Sequence, residues 1–155
     1  MKRFVIIFGI VLAVTIFMSG SSVAPWIVST TGSMYCTNAN EAIGAPDGVH
    51  ATAGQNNPKR LGMLRLAFDE GDGIPPSTTF TVYASSTINE SYGIQIESAN
   101  LTEAVLGNGW DTENLTFETP SDPGEVWQYV YITGATGQTG FGDSIYGPEV
   151  DAVGW

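Results

Sequence analysis

The sequence predicts an all-β protein, an antiparallel β-sandwich that follows a hydrophobic amino-terminal helix. Three observations predict this fold class. Apolar and polar residues alternate in four short segments, which is the pattern of strands with one buried face. Clusters of Gly, Pro, Asn and Asp separate these segments and are typical of tight turns. After residue 30 the only helical signal is a single turn near residues 38–43.

Each of the four predicted strands directs alternate side chains to opposite faces. The inward sets of the first three are Leu64, Leu66 and Phe68, then Phe80, Val82 and Ala84, then Tyr92, Ile94 and Ile96. In the fourth, residues 126–133, one face carries Gln128, Val130 and Ile132 and the other carries Trp127, Tyr129 and Tyr131. The predicted turns are residues 69–73, 75–76, 107–109, 121–124 and 137–142.

Residues 1–24 have the layout of a secretory signal. Lys2 and Arg3 precede an apolar run over residues 4–18, which is followed by small residues. The run is shorter than the roughly 20 residues that span a bilayer. We expect export with removal of this segment and a secreted or cell-surface protein, and a retained membrane anchor is the alternative. Residues 25–155 are then predicted to form one domain.

Charge and composition exclude several function classes. The 155 residues include 5 Lys and Arg against 16 Asp and Glu, a net charge of −11. Binding to nucleic acid needs clustered cations, and so does binding to anionic lipid. We therefore expect neither kind of binding. Membrane contact is expected only through an uncleaved amino-terminal segment. One Cys and one His exclude an internal disulfide and zinc or haem sites built from several such residues. We expect Cys36 to be a small buried residue near the first strand.

Two short motifs add a resemblance to a known family. Residues 40–48 read Asn-Glu-Ala-Ile-Gly-Ala-Pro-Asp-Gly, and residues 147–153 read Gly-Pro-Glu-Val-Asp-Ala-Val. With the intervening strands, these motifs resemble the galactose-binding-like (discoidin-type) domains of microbial cell-surface proteins. In those domains an Ala-Pro-Asp-Gly loop precedes the first core strand, and an Asp-Ala-Val strand closes the domain. The resemblance implies a jelly roll of about eight strands that binds carbohydrates, other surface polymers or proteins, often with a calcium ion near the early loop.

The early loop and the closing strand predict a calcium site. Ca²⁺ takes about six to eight oxygen ligands from carboxylates, amide side chains and backbone carbonyls. Pairing of the first and last strands of a jelly roll would bring Asp151 towards the loop. In the alternative, Asp47 forms an Asx turn before Gly48 and the two closing carboxylates are solvated. The candidate ligands are Asn40, Glu41, Asp47, Glu149 and Asp151.

Aromatic side chains in loops and on outward strand positions predict a carbohydrate-binding surface. Sugar sites use aromatic faces together with a few polar groups. Trp110 lies in a loop-like Asn-Gly-Trp-Asp setting and could stack on a sugar. In the alternative, Trp110 is a half-buried residue at the edge of the sandwich. The candidate ligand-binding residues are Tyr83, Trp110, Tyr131, Phe141 and Tyr146.

Together these patterns favour a non-catalytic binding or adhesion module that recognises an extracellular glycan or surface polymer. His50 is the only imidazole, and no nucleophile motif accompanies it. The main alternative is a self-assembling structural subunit of a surface layer, filament or matrix. A glycoside-active enzyme that uses two carboxylates is a further alternative, although no motif places such a pair.

Overall fold

The computed structural model describes residues 25–56, 59–84, 86–136 and 147–155. This part is mostly antiparallel β-structure, as predicted. The predicted amino-terminal helix, Phe141 and Tyr146 lie outside the described residues. A 3₁₀ helix at Ala39–Ala42 confirms the predicted helical turn. The strands are β1 (Ser29–Thr30), β2 (Ala51–Thr52), β3 (Gly54–Asn56), β4 (Lys59–Leu61), β5 (Met63–Ala67), β6 (Thr79–Tyr83), β7 (Ser91–Ser98), β8 (Glu103–Trp110), β9 (Leu115–Glu118), β10 (Trp127–Thr136), β11 (Glu149–Val150) and β12 (Ala152–Gly154).

Two main sheets organise the domain. One has five strands in the order β1-β5-β10-β7-β8, and the other has three in the order β12-β6-β9. Two smaller pairs, β11-β2 and β3-β4, complete the described part. All of these pairings are antiparallel. In the described part of the chain, no helix is long and apolar enough to cross a membrane.

The two main sheets share one hydrophobic core. The cluster contains inward residues of the five-stranded sheet and inward residues of the three-stranded sheet. Leu64 and Ile132 come from the first, and Phe80 and Val153 from the second; each is at most 1 % exposed. Burial of such side chains is the main stabilising contribution to a fold of this kind. The outer faces of the two sheets therefore point in opposite directions.

The predicted strand alternation is confirmed, with one local exception. The inward sets predicted for the first three strands are all buried. In β10, Val130 and Ile132 are buried as expected, but Trp127 and Gln128 are both buried although they are neighbours. The pairing of β10 with β7 shifts register between Trp127 and Tyr129. Such a bulge breaks strict alternation and lets both side chains turn away from solvent.

The predicted turn at residues 107–109 is wrong. These residues lie inside β8, which pairs with β7 along its length. Gly107 has φ 129° at the point where the β7–β8 register shifts. Glycine is therefore needed here for a bulge and not for a turn. Gly109 lies under the ring of Tyr92, where a Cβ would be 2.4 Å from a ring atom. Trp110 accordingly ends a strand instead of lying in a loop.

The two ends of the described domain lie side by side. Trp26 pairs with Gly154 in an antiparallel bridge, and Ile27 N donates to Val153 O at 3.2 Å. The closing residues then continue from β12 back to β11, which pairs with β2. Asp151 is the residue between these two strands. This arrangement places it beside the early loop.

Candidate binding site

A guanidinium on the outer face of the five-stranded sheet joins three strands. Arg65 of β5 stands directly opposite Tyr131 of β10, and its Nε donates to the Tyr131 hydroxyl at 2.7 Å. Nη1 donates to Thr31 Oγ1 at 2.8 Å, and Nη2 lies 3.4 Å from Glu97 Oε1 on β7. Tyr131 in turn donates to Glu97 Oε2 at 2.7 Å. Three of the five N–H donors of Arg65 thus have acceptors among the described residues.

The same guanidinium lies over the ring of a second tyrosine. The Cζ of Arg65 is 3.7 Å from the ring centroid of Tyr129, a distance typical of a cation–π contact. Tyr129 and Tyr131 are two residues apart on β10 and therefore share the outer face. Burial and the hydrogen bond to Glu97 raise the pKa of the Tyr131 hydroxyl. The hydroxyl therefore remains a donor at neutral pH and holds the side chains of Arg65 and Glu97 in place.

A pocket of about 400 Å³ opens beside this stack. Its volume lies in the range of about 300–1,000 Å³ that is usual for small-molecule sites. β1, β5 and β10 form its walls, together with the turn after β5 and the turn between β7 and β8. The pocket combines apolar surface with hydroxyl, guanidinium and carboxylate groups. The lining residues that carry its chemistry are Ser29, Thr31, Arg65, Phe68, Glu70 and Tyr129.

The carboxylate of Glu97 compensates the charge of Arg65 on the outer face of the sheet. Glu97 is 8 % exposed, so it is a fixed partner rather than a mobile surface carboxylate. The edge of the guanidinium that would clamp a carboxylate with two parallel bonds is already directed at Tyr131 and Glu97. Glu70 at the rim adds a negative charge. The pocket therefore favours an uncharged hydroxylated ligand over an anion.

The sequence predicts Tyr131 as a ligand-binding residue. Tyr131 does not line the pocket but holds Arg65, which does, and its partners were missed. Arg65, Glu97 and Tyr129 all occupy outward strand positions that alternation predicts. What the sequence does not contain is the register that sets Arg65 opposite Tyr131 and Glu97 opposite Tyr129. The one available signal was that Arg65 is one of three Lys or Arg residues beyond residue 25.

Tyr83 and Trp110, also predicted to bind a ligand, lie away from this pocket. Tyr83 lies on the three-stranded sheet, where its ring contacts Trp26 with centroids 5.6 Å apart. Trp110 is 42 % exposed at the far end of β8, roughly 20 Å from the β7–β8 turn at about 3.3 Å per residue. Tyr83 and Tyr131 face opposite sides of the domain. They cannot contact one small ligand.

The early loop and Asp151 do meet. Asp47 N donates to Asp151 Oδ1 and Gly48 N donates to Asp151 Oδ2, both at 3.0 Å. The side chain of Asp47 accepts the N–H of Val49 at 2.9 Å, which is an Asx turn. The contact that the resemblance implies between these two parts of the chain is therefore present, and it runs through backbone amides.

The remaining predicted calcium ligands are spread around this contact. Asn40 Oδ1 accepts from Thr30 Oγ1 at 3.1 Å, and Glu41 is exposed in the 3₁₀ helix. Glu149 is half-buried in β11 and pairs with Thr52. Within the ranges that the structure describes, no three or more His, Cys, Asp or Glu side chains are grouped to hold a metal.

Two further carboxylates hold the closing segment in place. Asp111 is fully buried, and its oxygens accept Glu90 N at 2.8 Å and Glu149 N at 3.1 Å. Glu90, 1 % exposed, accepts Gly147 N at 3.1 Å. The pKa of the Asp111 carboxyl is raised above its ordinary value. Burial is the main cause and the charge of Glu149 adds to it, while the amide hydrogen bonds oppose the increase. Sequence patterns gave no hint of this cluster, because its members are brought together only by the sheet.

Comparison with known proteins adds no assignment. The chain matches no protein-family model and no curated protein sequence. The chemistry of the described residues is therefore the basis for a function.

Proposed function

We propose that this protein is an exported, non-catalytic binding module that recognises an uncharged carbohydrate of an extracellular polymer. The proposed architecture is a jelly roll of the galactose-binding-like type, at the cell surface or secreted. The observation that carries the proposal is the pocket beside the Arg65–Tyr129 stack. Its apolar ring, planar donor group and hydroxyls are the groups that bind sugar rings and their hydroxyls.

The network behind the pocket supports a binding role. Arg65 contacts Thr31, Tyr131, Glu97 and Tyr129, so its guanidinium is held in one orientation before a ligand arrives. Fixing a side chain in advance lowers the entropy cost of binding. An unpaired arginine on an exposed face would not have this property.

A glycan array tests the proposal directly. The panel should contain neutral polysaccharide fragments and matched acidic fragments, probed at about 50 mM and about 500 mM salt. We expect retention of neutral glycans with little change between the two salt concentrations, because no net charge is exchanged on binding. Arg65→Lys keeps the charge but loses the planar fork, so we expect it to weaken binding. Arg60→Lys is the matched control, since Arg60 is exposed and stacks on Tyr35 instead.

Each array result has a distinct meaning. Retention of no glycan would overturn the proposed carbohydrate ligand. Retention of acidic glycans alone, lost at high salt, would keep the binding module but overturn the uncharged ligand. Release of sugar fragments from a polysaccharide, abolished by one carboxylate substitution, would indicate the enzyme instead.

A calcium ion at the early loop remains part of the proposal. A carboxylate has about four lone-pair sites, and the amides of Asp47 and Gly48 use two of those on Asp151. The exposed carboxylate of Glu41 and the carbonyls of the loop are further oxygen donors of the kind that Ca²⁺ takes. The ion would stiffen the loop and perform no chemistry.

The free edge of the five-stranded sheet favours a structural subunit as the second candidate. β8 ends the sheet, and Val105 in its middle is 79 % exposed. An exposed apolar edge can pair with another chain, although the bulge at Gly107 opposes flat pairing. Sedimentation without any ligand tests this candidate: assembly that rises with concentration and is lost in Val105→Lys would support it.

A further inference from the structure

The sequence contains three Asn-x-Ser/Thr triplets, all within residues that the structure describes. They begin at Asn89, Asn100 and Asn114, and each of these asparagines is exposed. In an exported protein, such a triplet can accept a glycan on the side-chain nitrogen of its asparagine. The three triplets are alike in sequence, but their hydrogen bonds differ.

The side chain of Asn114 is fixed by its oxygen. Asn114 lies between β8 and β9, and its Oδ1 accepts the backbone N–H of Ala84 at 2.9 Å. A backbone N–H can only donate, so this bond identifies the oxygen of the amide and leaves Nδ2 on the side away from Ala84. Among the residues that the structure describes, none accepts a hydrogen bond from Nδ2 of Asn114. The nitrogen that would carry a glycan is therefore available.

The rest of this triplet supports the same orientation. Leu115 is half-buried and packs against the core, which anchors the middle of the triplet. Thr116 is exposed in β9, where it stands opposite Thr81. The triplet requires a hydroxyl at this position, and an enzyme can reach this one in the folded domain.

The other two triplets are tied into the domain. Ser91, the third residue of the first triplet, begins β7 and is 8 % exposed. In the second triplet, Asn100 Nδ2 and Thr102 Oγ1 donate to the carboxylate of Glu125 at 3.3 Å and 3.0 Å. An enzyme that modifies the folded chain would have to break these contacts. Asn114 is therefore the best acceptor of the three.

We propose that Asn114 is an N-glycosylation site, and that the donor is an oligosaccharide linked through a diphosphate to a polyprenyl lipid. Transfer forms a bond between Nδ2 of Asn114 and the anomeric carbon of the sugar, and it breaks the bond between that carbon and the diphosphate oxygen. The lipid diphosphate leaves with the electron pair of the broken bond, and Nδ2 loses one proton. Oδ1 is unchanged, so its hydrogen bond from Ala84 persists. The inference rests on the export that is part of the proposed function.

A glycan on Asn114 leaves the carbohydrate pocket open. Ala99, at the β7–β8 turn, lines the pocket, and Asn100 follows it directly. Asn114 lies beyond the opposite end of β8, roughly 20 Å from that turn at about 3.3 Å per residue. Modification of Asn114 is thus compatible with ligand binding, whereas a glycan on Asn100 would stand at the rim of the pocket.

The test uses the complete chain, expressed in a host whose secretory pathway carries out N-glycosylation. One version begins with the native amino-terminal segment, and a second has a signal of established function fused ahead of the whole chain. Export of the second version alone would overturn export by the native segment, and the second version then decides the glycan site. Occupancy of each asparagine is measured by peptide mass spectrometry, with a glycosidase that converts a glycosylated Asn to Asp. We expect a glycan at Asn114.

Two variants of the same residue make the comparison. Thr116→Val removes the hydroxyl but keeps Asn114 and its bond to Ala84, so we expect complete loss of the glycan. Thr116→Ser is the matched control; it keeps a hydroxyl and should keep the glycan. Should Thr116→Val fail to fold, the occupancy of Asn114 in the exported wild type decides.

Three results would overturn the proposal. One is an unmodified Asn114 in exported protein, and another is equal modification in Thr116→Val and the wild type. The third is higher occupancy at Asn89 or Asn100 than at Asn114, because the hydrogen bonds would then not select the acceptor.

Discussion

The carboxylate of Asp151 accepts the backbone N–H of Asp47 at 3.0 Å, although 104 residues separate the two in the chain. Its second oxygen accepts the N–H of Gly48, also at 3.0 Å. Asp151 is 8 % exposed, and a carboxylate removed from water must be hydrogen-bonded. The early loop and the closing segment therefore stabilise each other.

Asp151→Asn should lower the free energy of unfolding by about 1–3 kcal/mol, the usual cost of an unsatisfied buried hydrogen-bonding group. The amide has one oxygen, and its NH₂ would face a backbone N–H. Asp122→Asn is the control, because Asp122 lies exposed in a turn. Urea denaturation of both variants makes the comparison, and equal effects would show that the Asp151 contact contributes nothing.

Asp111 should make stability depend on pH in a defined direction. Burial raises its pKa in the folded protein, so the folded state keeps a proton that the unfolded chain has already lost. Its contribution to stability is therefore largest below the unfolded pKa and falls as pH rises through the raised folded value. Asp111→Asn lacks this contribution.

The disadvantage of Asp111→Asn relative to the wild type should accordingly be larger near pH 4 than near pH 7. Urea denaturation of both proteins across this range measures it. A disadvantage that grows towards neutral pH would mean that the folded-state pKa of Asp111 is lowered instead.

Gly109→Ala should destabilise the protein by about 1–3 kcal/mol, the usual cost of overpacking a core. The new Cβ would stand 2.4 Å from a ring atom of Tyr92, which is fully buried and cannot move aside. Gly93→Ala on the neighbouring strand is the control, because its nearest contact would be 3.7 Å. Thermal unfolding should show a lower midpoint for Gly109→Ala and an unchanged midpoint for Gly93→Ala. A lower midpoint for Gly93→Ala alone would contradict the packing.

Calcium should raise the thermal unfolding midpoint relative to a chelator, because a ligand that binds only the folded state stabilises it. Asp47→Asn keeps an oxygen that can accept from Val49 but removes a charge, so we expect it to reduce the increase. An identical midpoint with calcium and with chelator would remove the ion from the proposal.

The sequence predicted the strands whose side chains alternate and missed those that do not. β5, β6, β7 and β10 carry clear inward sets, because one face of each is buried in the shared core. β8 has a glycine at a bulge and another beneath Tyr92. In the sequence, these two glycines have the pattern that is typical of a turn. In β8 only Gly109 is buried, so the strand carries no alternating hydrophobic pattern.

The candidate site was predictable only in part, for a related reason. Alternation identifies Arg65 and Tyr131 as outward residues, but their contact depends on strand register. Register follows from the pairing of two strands whose contacting residues are 66 apart in the chain, which periodicity does not encode. By contrast, the resemblance described under the sequence led us to expect that Asp47 and Asp151 meet, and the pairing of β2 with β11 brings them together.

The most direct test of the proposed function is the affinity of two tyrosine variants for the strongest glycan on the array, measured by calorimetry. Tyr129 lines the pocket, whereas Tyr83 lies on the opposite sheet against Trp26. We predict that Tyr129→Ala weakens binding by at least about tenfold, or about 1.4 kcal/mol, and that Tyr83→Ala leaves the affinity unchanged. Loss of binding in Tyr83→Ala with full affinity in Tyr129→Ala would contradict the pocket as the binding site.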